Sequence, residues 1–240
     1  MIEFSTLESR CVYLPQERMK MEYKYIKNCN FELNSDLVQQ GWRRFGHYYS
    51  RPACTNCTKC LSLRVDVNRI KTGRSIRRLY KKNRETKIVI KRPGVTYEHL
   101  KLYEKYHRYM QRKRGWDYYP VTADSYHDLY AKGFSTFGME ILYLREGKLV
   151  GVDLIDMVRD GISSIYFYYD PDFAYLGLGN YSIYKQIDFA REKGLEWIYL
   201  GYYVKDCESL NYKARYRPHQ ILFYEYDEEG TERAIWREIS

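Results

Sequence analysis

The chain has 240 residues, with 40 Lys and Arg against 31 Asp and Glu, for a formal net charge of +9. That length can bury a sizeable core, as one large domain or two small ones, and no apolar run approaches the roughly 20 residues of a membrane-spanning helix. A cytoplasmic protein with no membrane partner is therefore expected, and the absence of an opening secretory signal argues against a disulfide framework.

In chain order, the first signal is a set of cysteines: Cys11, then Cys54, Cys57 and Cys60 in the run Pro-Ala-Cys-Thr-Asn-Cys-Thr-Lys-Cys. Two-residue gaps let a tight turn aim successive thiolates at one centre. That suits a tetrahedral zinc ion or an iron–sulfur cluster with Cys11 as a distant fourth ligand. The competing reading is reduced thiols in an ordinary interior, and it is the one given to Cys29 and Cys207. Between the first cysteine and the triplet, Ser35 and Asp36 look like a helix start that Gly41 ends, and His47-Tyr48-Tyr49 is strand-like. After the triplet, Leu61 to Val67 alternates as a strand, with Leu61, Leu63, Val65 and Val67 on one face.

A strongly basic block follows. From Arg64 to Arg92 there are twelve lysines and arginines, opposed only by Asp66 and Glu85. Such a block favours a polyanion through counterion release; the alternative is a solvated basic face. Within it, Ser75–Asn83 reads as a short basic helix or loop and Lys87–Lys91 as a strand. Tyr97–Arg112 reads as a helix, with Leu100, Tyr103 and Met110 near helical spacing and His107 as a packed or solvated residue rather than a catalyst.

From Gly138 the pattern becomes regular. A strand (139–144), a turn at Arg145-Glu146-Gly147-Lys148, a strand (149–158), a turn at Asp160-Gly161 and a third strand (162–169) come in succession. Asp170-Pro171-Asp172 closes that strand. The run Leu176-Gly177-Leu178-Gly179-Asn180 then opens a helix over 181–193, which Gly194 caps before a fourth strand over 196–203. Hairpin, strand, glycine turn, helix, strand is the order of an acetyltransferase-like (GNAT-like) acyl-transfer core. In that core a glycine turn and a helix N-terminus cradle a pyrophosphate. The usual fingerprint has Arg or Gln three residues before the first glycine. Here that position is Ala174, which disfavours coenzyme A as donor. The expected class is α+β, with a cysteine-bearing basic region over 1–95 and the acetyltransferase-like domain over 96–240.

Several pieces in order resemble the aminoacyl-tRNA–protein transferases, the arginyl/leucyl-transferase family of the N-degron pathway. They are Cys11-Val12-Tyr13-Leu14-Pro15, Gly41-Trp42-Arg43-Arg44-Phe45-Gly46, Arg51-Pro52 with the cysteine triplet, Arg64-Val65-Asp66-Val67 and Arg74-Ser75-Ile76-Arg77-Arg78. Tyr169-Asp170-Pro171-Asp172, Leu200-Gly201-Tyr202 and Tyr212-Lys213-Ala214-Arg215-Tyr216-Arg217-Pro218 continue the series, so the match covers nearly the whole chain. The resemblance implies an acetyltransferase-like fold, an aminoacyl-tRNA donor and a protein acceptor with an acidic first residue. Leu14 stands where the eukaryotic members have a second cysteine, and with the short length this points to the bacterial branch, which moves leucine onto N-terminal Asp or Glu. Arginine as the transferred residue is the alternative. A non-catalytic RNA-binding protein with a metal knot is the alternative from another class.

The chemistry then asks for particular side chains. An acidic acceptor needs a cation, best a forked guanidinium, and Arg43 and Arg44 are the expected holders. Arg77, Arg78 and Lys213 are second choices for that role and, with Arg74, are expected rather on tRNA phosphate. Tyr202 is expected to bond the reacting carbonyl or pass a proton, and Asp153 and Asp170 to anchor the attacking amine. The transfer itself requires no cofactor. A zinc ion or iron–sulfur cluster is expected only at Cys11, Cys54, Cys57 and Cys60.

Overall fold

The computed structural model describes residues 1–239. The N-terminal part holds β1 (Ile2–Ser5), the ribbon β2 (Ser9–Arg10) and β3 (Arg18–Met19), β4 (Met21–Tyr25), α1 (Phe31–Gln39), β5 (Arg43–Phe45) and β6 (Tyr48–Pro52). Then come β7 (Leu61–Asp66), α2 (Arg74–Lys82), β8 (Lys87–Lys91), α3 (Tyr97–Arg114) and α4 (Ala123–Tyr126). The regular half holds β9 (Gly138–Arg145), β10 (Lys148–Val158), β11 (Gly161–Tyr169), α5 (Leu178–Glu192), β12 (Trp197–Tyr203), α6 (Glu208–Asn211), β13 (His219–Tyr226) and β14 (Glu232–Glu238).

The β9–β10 hairpin closes at Glu146 and Gly147, whose φ values of 51° and 76° are those of a primed two-residue turn that matches strand twist. The β10–β11 loop is Arg159-Asp160, one residue earlier than expected, because Gly161 already pairs with Val158. Gly161 lies so close to the backbone of Trp197 that a side chain there would collide. α1 also starts before the expected Ser35. Asn30 caps it, accepting from the Leu33 amide at 2.8 Å. Ser35 is buried inside the helix, where its hydroxyl donates to Phe31 O and accepts from the Arg159 amide.

Eight strands form the main sheet in the order β14-β13-β7-β12-β11-β10-β9-β8, and a second sheet runs β1-β4-β6-β5. The boundary expected at residue 95 does not divide the main sheet, since β7 inserts between β12 and β13 and β8 forms the far edge. All neighbours in the main sheet are antiparallel except β11 and β12, which α5 joins as a crossover. α5 buries Tyr181, Ile183, Tyr184, Ile187 and Ala190 on one face of the sheet, where α2 also docks through Ile76, Leu79 and Tyr80. α3 covers the other face with Leu102, Tyr106 and Met110 against Val152, Leu154, Ile165 and Tyr168. His107 belongs to this packing. One ring nitrogen meets Tyr103 O at 2.8 Å, the other lies 2.7 Å from the Tyr166 hydroxyl, and burial pushes its pKa down.

The parallel pair opens into a fork. β11 and β12 pair only over Gly161–Ser163 and Trp197–Tyr199. Register shifts at Leu154/Ile155 and at Tyr199/Gly201 then turn the strands apart. Beyond Ser163 and Tyr199, backbone groups that would have paired across the sheet need other partners, because buried carbonyls are costly when left unpaired.

Candidate active site

A side chain from β5 of the second sheet enters the fork. Arg43 donates from one terminal nitrogen to Ser164 O at 2.9 Å and Ile165 O at 3.0 Å, the first two carbonyls of β11 past the split. Its guanidinium lies against the Tyr202 ring and occupies the space where a Cβ on Gly201 would stand. Gly201 also has φ of +72°, so glycine is required there twice over. On the β12 side the orphan carbonyl is Tyr202 O, and Lys213 meets it, Nζ donating at 2.7 Å. Two basic side chains thus serve the two edges of one gap.

Beside the gap, on the α5 face, lies a buried polar set. Gln186 donates from its amide nitrogen to Asp153 Oδ2 at 2.7 Å and to Ser164 Oγ at 3.2 Å. Asp153 is 0 % exposed. Burial pushes its carboxyl up to about 7, against the lowering pull of Gln186 and Tyr143. Its second oxygen, Oδ1, has no hydrogen-bond partner among the described residues, and neither has Gln186 Oε1. Tyr212 sits between the two groups, close enough to feel both Arg43 and Asp153.

The structure separates the neighbours Arg43 and Arg44. Successive strand residues point to opposite faces, so Arg44 leaves the fork. It is 3 % exposed and grips Asp156 through two bonds of 2.6 and 2.7 Å. The same side chain donates to Gly46 O and Lys132 O. Four of its five N–H groups are thereby committed, which corrects the expectation that it holds an acceptor.

Asp170 is also committed. Lys148 bonds its carboxylate at 2.8 Å, Lys105 bonds it as well, and it caps the 3-10 turn Pro171–Leu176 through the Asp172 amide. Burial would raise its pKa, but the two lysines outweigh it and hold the carboxyl below the usual range. Tyr202 donates its hydroxyl proton to Ser50 O at 2.9 Å, so that proton is not free for a substrate carbonyl. Lys213, expected on tRNA phosphate, is only 8 % exposed and points into the fork. Arg74, Arg77 and Arg78 do lie on the surface, on the outer face of α2.

Five of the cysteines share a neighbourhood below the fork. Cys11 and Cys207 are buried together with Leu14 and Val204, and Cys60 packs against them. Burial first, then the proximity of Cys11, Cys54, Cys57 and Cys207, pushes the Cys60 thiol up to about 12. Cys207, read as an isolated interior thiol, therefore belongs to this group. Among the described residues, no three Cys, His or carboxylate side chains converge as ligands of one centre.

Gln186, Ser164 and Tyr212 were not singled out from the sequence. Gln186 did carry a signal, because it falls with Ile183, Ile187 and Ala190 at the spacing of the buried face of α5. A polar residue in that stripe needs a buried partner, here Asp153.

Comparison with known proteins adds two kinds of match. The family model described as arginine-tRNA-protein transferase, N terminus, matches residues 9–78, and the one for the C terminus matches 98–223. A protein of Campylobacter jejuni named aspartate/glutamate leucyltransferase is 51% identical over 221 residues, covering 92% of each chain. Proteins of the same name from Helicobacter hepaticus and Hahella chejuensis are 40% and 32% identical, each over 92% of this chain.

Proposed function

The chain belongs to the arginine-tRNA-protein transferase family, and from that premise we propose that it moves leucine from leucyl-tRNA to the α-amine of proteins beginning with Asp or Glu, marking them for N-degron degradation. It is an aminoacyltransferase whose substrates are an aminoacyl-tRNA and a protein. The observation that carries the choice of leucine is the 51% identity, over nearly the full length, to a protein named for that activity. Among the described residues, no helix is long and apolar enough to cross a membrane, and the cytoplasm, where aminoacyl-tRNA is found, is the proposed location.

The donor is an ester and is already activated. An acceptor α-amine, with a pKa of about 7.7–8.0, has a useful neutral fraction near pH 7. The enzyme's tasks are alignment, charge stabilisation and movement of one proton. The aminoacyl ester then lies in the fork of an acetyltransferase-like core, at the split of β11 and β12, with the tRNA body on the basic face of α2. Arg43 has donors left for the acceptor's side-chain carboxylate, and its fixed position on Ser164 O and Ile165 O supports that role. Asp153, poised near neutrality beside Gln186, is the carboxylate best suited to the amine. A zinc ion or iron–sulfur cluster at Cys11, Cys54, Cys57 and Cys60 is a separate proposal. It rests on their spacing and shared neighbourhood, and no step of the transfer runs through it.

The test supplies purified protein with labelled leucyl-tRNA, arginyl-tRNA or acetyl-coenzyme A and peptides that differ only in their first residue. Leucine should appear on Asp- and Glu-starting peptides and not on a Lys-starting one. Arginine transfer without leucine transfer would replace the donor and keep the class. Acetyl transfer alone, or tRNA binding without any transfer, would overturn the reading.

A further inference from the structure

Lys213 is a buried amine that lacks the usual reason to be buried. Buried lysines are rare unless paired with a carboxylate, and its one bonded partner is a neutral carbonyl, Tyr202 O. The charged group nearest to it in effect is Arg43, of like sign. Among the described residues, Cys207 is the one neighbour that favours a charged lysine, and then only as a thiolate. Tyr13 from the N-terminal ribbon lies near the same Arg43 and Cys207. Tyr202 and Tyr212, both held protonated by burial, complete the titratable surroundings. Desolvation and Arg43 together push the Lys213 amine well below the ordinary lysine range.

If the side chain served only to fill the fork, a neutral donor would bond Tyr202 O at less cost than a buried amine. What a desolvated amine adds is easier access to its neutral form, whose lone pair can take a proton. One N–H on Tyr202 O fixes its direction, at the edge of the fork proposed to hold the ester.

We propose that Lys213 carries the proton of the transfer reaction, taking it from the acceptor's α-amine as the amide forms and handing it to the ribose oxygen as the ester breaks. This rests on the aminoacyl-transfer reading of the site. The balance closes. The amine nitrogen bonds the ester carbonyl carbon, and its excess proton passes to Nζ. The C–O bond to ribose then cleaves, and the same proton goes to the departing oxygen. Products are an amide and a ribose hydroxyl, with Lys213 regenerated as the free amine. Arg43 across the fork discourages the lysine from keeping the proton. Asp153, on the α5 side, is left to orient the incoming amine.

The test is single-turnover transfer from leucyl-tRNA to a saturating Asp-starting peptide by the full chain, with Lys213→Arg, Lys213→Met and Lys213→Ala. Lys213→Arg offers a donor for Tyr202 O but carries a permanent positive charge, with no accessible neutral form. With its folding checked by urea unfolding beside the parent, it should bind tRNA equally and lose about 10²–10⁴-fold in rate, the usual contribution of a proton-transfer group. Lys213→Ala should be partly rescued by small primary amines, the rescued rate rising with amine basicity. The rate–pH profile of the parent should lose one limb in Lys213→Arg. Should Lys213→Arg or Lys213→Met fail to fold, amine rescue of Lys213→Ala decides alone. A folded Lys213→Arg with parental rate and profile would overturn the proposal while leaving the transferase reading intact, and so would an alanine variant indifferent to amines. A parent that transfers no leucine would instead remove the premise.

Discussion

Replacing Arg44 by Met is expected to destabilise the fold by about 3–5 kcal/mol, the cost of stranding one partner of a buried ion pair. Asp156 is fully buried and would face no counter-charge, and Gly46 O and Lys132 O would each lose a donor. The loss is a large part of the roughly 5–15 kcal/mol that typically holds a domain folded. It reaches three elements at once, because Arg44 in β5 ties Asp156 in β10 to the segment after α4. Urea unfolding measures it. Adding Asp156→Leu to Arg44→Met should recover most of the stability, since the stranded charge is then gone. A single variant within about 1 kcal/mol of the parent, far below the cost of a stranded charge, would mean that the pair is hydrated and that Arg44 is free for another role.

The second large effect concerns tRNA. Changing Arg74, Arg77 and Arg78 together to Ala should weaken tRNA binding and flatten its dependence on salt. The log–log slope should drop by roughly 0.7–0.9 for each phosphate left without its cation, and by about 2–3 when all three are. All three side chains are exposed, whereas Ile76, Leu79 and Tyr80 anchor the other side of α2, with the Tyr80 hydroxyl on Asp188 at 2.8 Å. Ala is the best helix former, so the helix and its docking should survive the change. An unaltered slope in a folded triple variant would show that this face meets only solvent and that the tRNA lies elsewhere.

The contrast between these variants marks what local pattern can reveal. The basic face of α2 was legible because surface charge needs no tertiary partner to be read. So were the β9–β10 hairpin, from its Glu-Gly turn, and α5, from its glycine entry and apolar stripe. The roles of Arg43 and Arg44 were not legible. They are adjacent in one motif, and which of them enters the fork depends on how β5 crosses β11. Nor did β7 announce that it would pair with β12 and β13, because a strand's alternation gives its faces and not its neighbours. The charge of Lys213 suits a phosphate, and only the path of β12 shows its amine meeting Tyr202 O inside the molecule. The helix start at Asn30 was missed because Ser35 and Asp36 are equally good caps by type.

Whether leucine changes hands in the fork of β11 and β12 can be tested by determining the structure of the protein with a non-hydrolysable leucyl-amide of a tRNA 3′ end. The leucyl carbonyl is expected in the fork, within hydrogen-bonding reach of Lys213 Nζ and bordered by Tyr202 and Gly201, with the α2 side of the molecule toward the tRNA. A leucyl group seated instead in the open groove between α1 and β14, which is lined by Arg64, Arg233 and Trp236 and holds about 600 Å³, would rule out the fork as the site of transfer.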